Sequence, residues 1–156
     1  MRTTLSTSRT HLAQRSRVGR LTLVVAVLAA LSLVGVSCTK NGAAFESASR
    51  ANGAREARGL WDLSQDQTLI NKAQDWAEHM AATGVVSHSV LTANAGTNWR
   101  VLGENVGWAY SIEQMHDLFM ASSAHRANIL STRYNRIGTG VAQVGNRYYV
   151  VQVFAG

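Results

Sequence analysis

This sequence predicts an α+β domain in which a small antiparallel sheet lies sandwiched between helices. Three observations carry that prediction. The closing run Tyr148–Phe154 (YYVVQVF) is apolar on both parities: Tyr149, Val151 and Val153 point one way, and Tyr148, Val150 and Phe154 the other. A strand apolar on both faces has to be covered on both faces. Ile137–Val144 precedes it across Gly145-Asn146, a dipeptide suited to a tight hairpin. Upstream, apolar residues recur at helical spacing rather than alternating.

The elements follow in order. Residues Phe45 to Arg58 form a modest helix candidate, ended by Gly59. Ser64 to Thr83 is the strongest helix: Ser64 and Gln67 match a capping box, Leu69, Ala73, Trp76 and Met80 form the apolar stripe, and Gly84 suits the left-handed C-terminal position. Ser111 and Gln114 repeat the capping signature ahead of Ile112, Met115, Leu118 and Phe119, and a short helical turn is expected at His125 to Leu130. Val106, Trp108 and Tyr110 alternate around Gly107 as a strand. The chain has no proline, so stops fall to glycine and polar clusters.

The first forty residues stand apart from this domain. Five arginines (Arg2, Arg9, Arg15, Arg17, Arg20) precede an uncharged, mostly apolar run from Leu21 to Val36, the pattern of a secretory signal. The expected organisation is a leader over residues 1–38, a short linker over 39–44 and one domain over 45–156. The only cysteine, Cys38, closes a segment, Gly35-Val36-Ser37-Cys38, that resembles a bacterial lipobox but carries Gly35 where that pattern wants leucine. Lipidation at Cys38, ordinary cleavage and retention as an anchor are the three outcomes. The apolar run is short of the about 20 residues that a spanning helix wants, which favours the first two.

Removing the leader changes the charge argument. Six of the 15 basic residues lie in the first forty, and all nine acids lie beyond them, so nine basic residues face nine acids in the domain. The high isoelectric point belongs to the leader, and the domain carries no basic excess for nucleic acid. With Cys38 outside it, the domain has no internal disulfide and must stand on its core.

Three segments could carry chemistry: Ser87-His88-Ser89, Gly103-Glu104-Asn105 and His125-Arg126-Ala127-Asn128-Ile129-Leu130. All fall at element ends or in loops, where functional groups concentrate. Two imidazoles and a carboxylate can serve as a metal set or an acid–base set, because a neutral imidazole offers one lone pair and a carboxylate can fix its tautomer. On spacing alone the plainer reading is a surface His88 and an N-capping segment at Ser123-Ala124-His125. His79 and His116 read as solvated helix residues. Trp61, Trp76 and Trp108 read as core, and Trp99, beside Arg100 in a polar loop, is left open.

The order of segments resembles a bacterial CAP (sperm-coating-protein-like, SCP) domain. The carriers are Asn52-x-x-Arg55, Gly59-Leu60, the helix through Trp76-Ala77, Ser87-His88-Ser89, Gly103-Glu104-Asn105-Val106, Ser123-x-His125-Arg126-x-Asn128-Ile129-Leu130, Ile137-Gly138-x-Gly140-Val141-Ala142 and Val151-Gln152-x-Phe154. No single piece is diagnostic; their order and spacing together are specific. The resemblance implies an α–β–α sandwich with a cleft that holds His88, Glu104 and His125. A second acid present in eukaryotic members falls at Ser122 here, and Phe119 stands where those members have tryptophan, so the four-residue set is incomplete. Asn105, Arg126 and Asn128 take structural roles in this reading: Asn105 bonding loop backbone near Glu104, Arg126 pairing with an acid or with late carbonyls, Asn128 locking the short helical turn.

The resemblance implies a secreted or envelope-attached protein that binds something in this cleft: a lipid, a sterol, a protein partner, or zinc or another divalent metal at His88 and His125. Membrane contact would come only through the N-terminal segment. Fold does not fix function in such a family. The alternative is an extracellular hydrolase, with zinc at the two histidines and Glu104 as base, or with a serine such as Ser122 or Ser123 activated by a histidine and Glu104. The chain lacks GxSxG, and two histidines fall short of the three protein ligands usual for catalytic zinc. An envelope or adhesion module without cleft chemistry is the third class.

Overall fold

A computed structural model describes residues 42–156, so the leader, its lipobox and the first half of the linker (39–41) lie outside the described residues, while residues 42–44, expected as linker, open the first helix. The elements run α1 (42–56), β1 (Ser64–Gln65), α2 (Gln67–Thr83), β2 (Leu102–Ala109), α3 (Ile112–Ala121), α4 (Ser123–Ile129), β3 (Arg136–Val144) and β4 (Arg147–Ala155).

The strands stand in the order β1-β3-β4-β2. β4 pairs antiparallel with β3 on one side and with β2 on the other, in unbroken register from Ile137↔Phe154 to Val144↔Arg147 and from Leu102↔Ala155 to Ala109↔Tyr148. The expected antiparallel sheet is therefore present, with one addition. The two-residue β1 pairs parallel with Arg136 and Ile137, which makes the sheet mixed at that edge. The hairpin turns at Gly145, whose φ of 59° suits a residue without a Cβ.

β4 divides two cores, as its two-sided sequence predicts. Tyr149, Val151 and Val153 join Leu69, Ala73, Ala77 and Met80 of α2. Val150 and Phe154 join Ala48 and Ala51 of α1, Ile112, Met115 and Phe119 of α3 and Ile129 of α4. The approach of α2 to β3 is set by glycine. A Cβ built on Gly138 would fall on the backbone of Leu69 and Ile70, and one on Gly140 would fall on that of Ala73 and Gln74.

α2 starts two residues later than its capping pattern suggests. Ser64 and Gln65 are taken by the parallel bridge, and Asp66 caps the helix by accepting from the backbone N–H of Thr68 and Leu69 at 2.9 and 3.2 Å. Arg136 holds the other oxygen of Asp66 at 2.9 Å. Burial works to raise the Asp66 pKa, but these hydrogen bonds outweigh it and hold the carboxyl below its ordinary value. Gly84 closes the helix in the left-handed region, as expected, and Ser111 caps α3 by accepting from Gln114 N–H.

Two expectations about side chains fail. Trp61 is 91% exposed rather than core, because it sits in the loop after α1 that Arg55 pins by its backbone: Arg55 Nε donates to the Trp61 carbonyl at 2.8 Å. Arg55 itself is buried and also donates to the carbonyls of Ile129 and Ser131, tying α1 to the end of α4. His116 is half-buried rather than solvated, because α3 turns it inward. Trp76 and Trp108 lie partly buried at the margin of the α2 core.

Candidate functional site

The site grows from β2, an edge strand, and from the two segments that cross its open side. One is the loop from Gly84 to Ala93; the other is α4.

Glu104 is only 6% exposed on β2, yet its carboxylate is fully engaged. One oxygen accepts from His88 Nδ1 at 2.8 Å and from the Ser89 backbone N–H at 2.9 Å; the other accepts from Ser89 Oγ at 2.6 Å. A carboxylate that accepts from Nδ1 leaves Nε2 as the free lone pair of His88. The His88 side chain is 63% exposed, so that edge of the ring is open to solvent.

Lys72 supports this arrangement from below. It is 5% exposed, and its ammonium donates to Ser89 Oγ, the Val90 carbonyl and the Ala93 carbonyl at 2.8–2.9 Å. Burial lowers its pKa, with the Glu104 charge pulling the other way. Ser89 Oγ thus links cation to anion. Trp76 Nε1 fixes the same loop by donating to the Ser87 carbonyl at 2.7 Å.

His125 arrives from the other side, in the first turn of α4. Ser122 caps that helix by accepting from the His125 backbone N–H. The imidazole lies edge-on to Phe119, ring centres 5.0 Å apart. Burial lowers its pKa, and the charge of His88 lowers it further. His125 is therefore held toward its neutral, lone-pair-bearing form.

An amide network fixes α4 against β2. Asn105 donates to the His125 carbonyl and to Gln152 Oε1, both at 3.1 Å, and Asn128 donates to Asn105 Oδ1 at 2.9 Å and to the Glu104 carbonyl at 3.2 Å. Gln152 passes the chain on to Ser47 of α1. Asn105 and Asn128 take structural roles, as the sequence suggests, although Asn105 bonds helix backbone rather than a loop near Glu104. Arg126 meets no acid among the described residues: it donates to the Met120 carbonyl at the end of α3.

His88 and Glu104 are thus joined directly, and His125 is tied to the same strand by its backbone carbonyl, which accepts from Asn105. Ser122 is occupied as a helix cap, and among the described residues neither Ser122 nor Ser123 hydrogen-bonds an imidazole. Among those residues, too, no group of three or more histidine, cysteine, aspartate or glutamate side chains is placed to hold a metal. Both oxygens of Glu104 are taken by hydrogen bonds to His88 and Ser89, which leaves the imidazoles of His88 and His125 as the candidate donors for a divalent ion. Lys72 is the participant the sequence reading missed. Its signal was a lone cation inside the apolar spacing of α2, three residues after Leu69 and one before Ala73.

Residues 48–154, well over half of the chain, match the family model of CAP, the cysteine-rich secretory protein family. The chain belongs to that family. Among individual proteins, YkwD of Bacillus subtilis (strain 168) is 27% identical over 104 residues, covering 61% of this chain and 40% of that protein. An extracellular SCP-domain protein of Bacillus anthracis superposes with a TM-score of 0.64 at 22% identity, over 74% of this chain and 41% of that one. An outer surface protein of Borrelia burgdorferi superposes with a TM-score of 0.62 at 16% identity, over 69% of this chain and 86% of that one. The structural neighbours share the α–β–α architecture. The chain spans about two fifths of the curated relative it matches.

Proposed function

We propose that this chain is an exported CAP-domain protein whose cleft binds a ligand through His88 and His125 and does no catalysis of its own. The carrying observation is the engagement of Glu104. A buried carboxylate that accepts from His88 Nδ1, Ser89 N–H and Ser89 Oγ acts as an orienting group for the imidazole and the loop that carries it. It presents His88 Nε2 to the cleft, beside a His125 held toward neutrality. Export is supported by the basic, then apolar leader and by the extracellular and outer-surface neighbours. No helix among the described residues is long and apolar enough to cross a membrane.

A divalent ion fits this pair as a two-histidine site completed by water, and would supply a Lewis-acidic anchor for an anionic ligand group. Zinc is accordingly the probe. Calorimetry at pH 7.5 and 5.5 on the wild type, His88→Ala, His125→Ala and Glu104→Gln should give modest affinity, weaker at the lower pH because protons compete for imidazole lone pairs. Either alanine variant should abolish it, and Glu104→Gln should weaken it about ten- to a hundredfold through loss of orientation. Wild-type affinity no better than that of the alanine variants would end the metal form of the reading.

A further inference from the structure

A cavity of about 520 Å³ lies at the end of the sheet where the β3–β4 hairpin turns, bounded by α1, the start of α3 and the hairpin strands. Sites for small ligands run from about 300 to 1,000 Å³. The cavity shares no residue with the histidine cleft. Gln143 and Tyr148, cross-strand partners, both line it, whereas Glu104 pairs with Val153, five positions further along β4 and about 16 Å away at strand rise. Its lining joins aromatic and polar groups. Tyr110 and Tyr148 bring rings, above the buried apolar surface of Ile112 and Val141. Glu46, Arg50, Glu113 and Gln143 bring planar polar groups. Arg50 Nε donates to Glu46 Oε1 at 2.8 Å, and Arg50 Nη1 lies 3.9 Å from Glu113 Oε1. Two carboxylates thus share one guanidinium: Glu46 one turn before it on α1, and Glu113 in the first turn of α3, behind the Ser111 cap. Among the described residues the hydroxyls of Tyr110 and Tyr148 have no partner, so both are available to a guest.

We propose that this cavity is a second binding site, for a neutral saccharide. A sugar ring presents C–H groups on its faces and hydroxyls around its edge, and each hydroxyl both donates and accepts. The tyrosine rings match the faces. Donors on Arg50 and the two tyrosine hydroxyls, set among acceptors on Glu46, Glu113 and Gln143, match the edge. Other classes of guest match this lining less well. An anion would meet two carboxylates against one guanidinium. A cation would compete with Arg50, which is tethered on the same helix and already neutralises Glu46. An acyl chain would strip water from three charged side chains without replacing its hydrogen bonds. A polyol replaces that water hydroxyl for hydroxyl. The site is additional to the histidine cleft, and neither depends on the other.

The test titrates the full chain, labelled with nitrogen-15, with cellotriose and with triacetylchitotriose. Spermidine, decanoate and inorganic phosphate serve as the cationic, acyl and anionic comparisons. The expected result is that at least one of the two sugars shifts the Gln143 side-chain amide and the Tyr110 and Tyr148 backbone amides. The Trp108 indole signal should move with them, because Trp108 meets Tyr110 edge-on with ring centres 5.4 Å apart. Tyr110→Ala removes an exposed ring, and Arg50→Met removes a charged donor; each should weaken sugar binding about tenfold or more. The His88→Ala/His125→Ala double variant should bind the sugar as the wild type does, so a failure here is distinct from a failure of the histidine reading. Three results would overturn the proposal. One is that neither sugar moves these signals. Another is that Tyr110→Ala and Arg50→Met bind sugar as tightly as the wild type. The third is that spermidine, decanoate or phosphate moves the same signals at lower concentration than either sugar, which would assign the cavity to that class instead.

Discussion

Lys72→Met tests the buried link beneath the cleft. The methionine keeps an apolar stem in the α2 core and removes the ammonium. Three hydrogen bonds of 2.8–2.9 Å from a charged donor disappear together. Each such bond contributes about 1.5–3 kcal/mol, but the carbonyls of Val90 and Ala93 belong to an exposed loop and can turn to water. Glu104 cannot: it remains buried, with the cation that faces it through Ser89 gone. Breaking a buried charge arrangement by removing one member typically destabilises by about 3–5 kcal/mol. The lower end is expected here because Ser89 and His88 still donate to Glu104, so about 3 kcal/mol. At roughly 4 °C per kcal/mol for a domain of this size, the midpoint should drop by about 12 °C. Differential scanning calorimetry measures the drop, and adding Glu104→Gln should recover part of it, because the carboxylate is then neutral. A midpoint within about 2 °C of wild type, or strict additivity in the double variant, would refute the link between Lys72 and Glu104.

Other consequences are open to simpler tests. Gly140→Ala places a Cβ on the Ala73–Gln74 backbone and should cost about 3 kcal/mol or more by forcing α2 off the sheet; an unchanged melting temperature would contradict the close approach. Phe119→Ala, at 1% exposure, should destabilise by about 3–5 kcal/mol, whereas Trp61→Ala should stay within about 0.5 kcal/mol; chemical denaturation ranks them, and the reverse order would misplace both rings. Burial lowers the pKa of both His116 and His125, so the unfolded chain binds more protons than the folded one. Their contribution is then complete above the unfolded value of about 6.5 and is lost as pH falls through the lowered folded values. Stability should fall from about pH 7 to 5, and His116→Gln/His125→Gln should flatten that slope; an equal slope would exclude both residues.

The architecture was legible wherever one physical signal acted alone. The two-sided apolarity of β4, the Gly145 turn and the Ser111 cap each read directly into the structure. Ser64 misled because two local solutions competed: the capping box offered one orphan N–H a partner, while pairing with Arg136 drew Ser64 into a strand and left Asp66 to cap. That partner lies far along the chain and has no local trace. Trp61 shows the same limit, since its exposure follows from Arg55 holding the backbone of its loop. At the site, His88, Glu104 and His125 came from resemblance rather than spacing. Their division of labour did not, because which oxygen of Glu104 meets which donor is settled only by the fold of the 84–93 loop. Lys72 was readable in principle as a charge on an apolar stripe, a pattern that also describes many snorkelling lysines.

The buried bond between Gln152 and Ser47 spans 105 residues and joins the last strand to the first helix. Thr139 reaches back in the same way to the Ala44 carbonyl. A ribosome adds about 5–20 residues per second, so α1 waits roughly 5–20 seconds for the residues that bury it. Throughout that interval the nascent chain lacks β4, whose residues belong to both cores. Neither core can reach its final packing until β4, the last element of the sheet, has been synthesised.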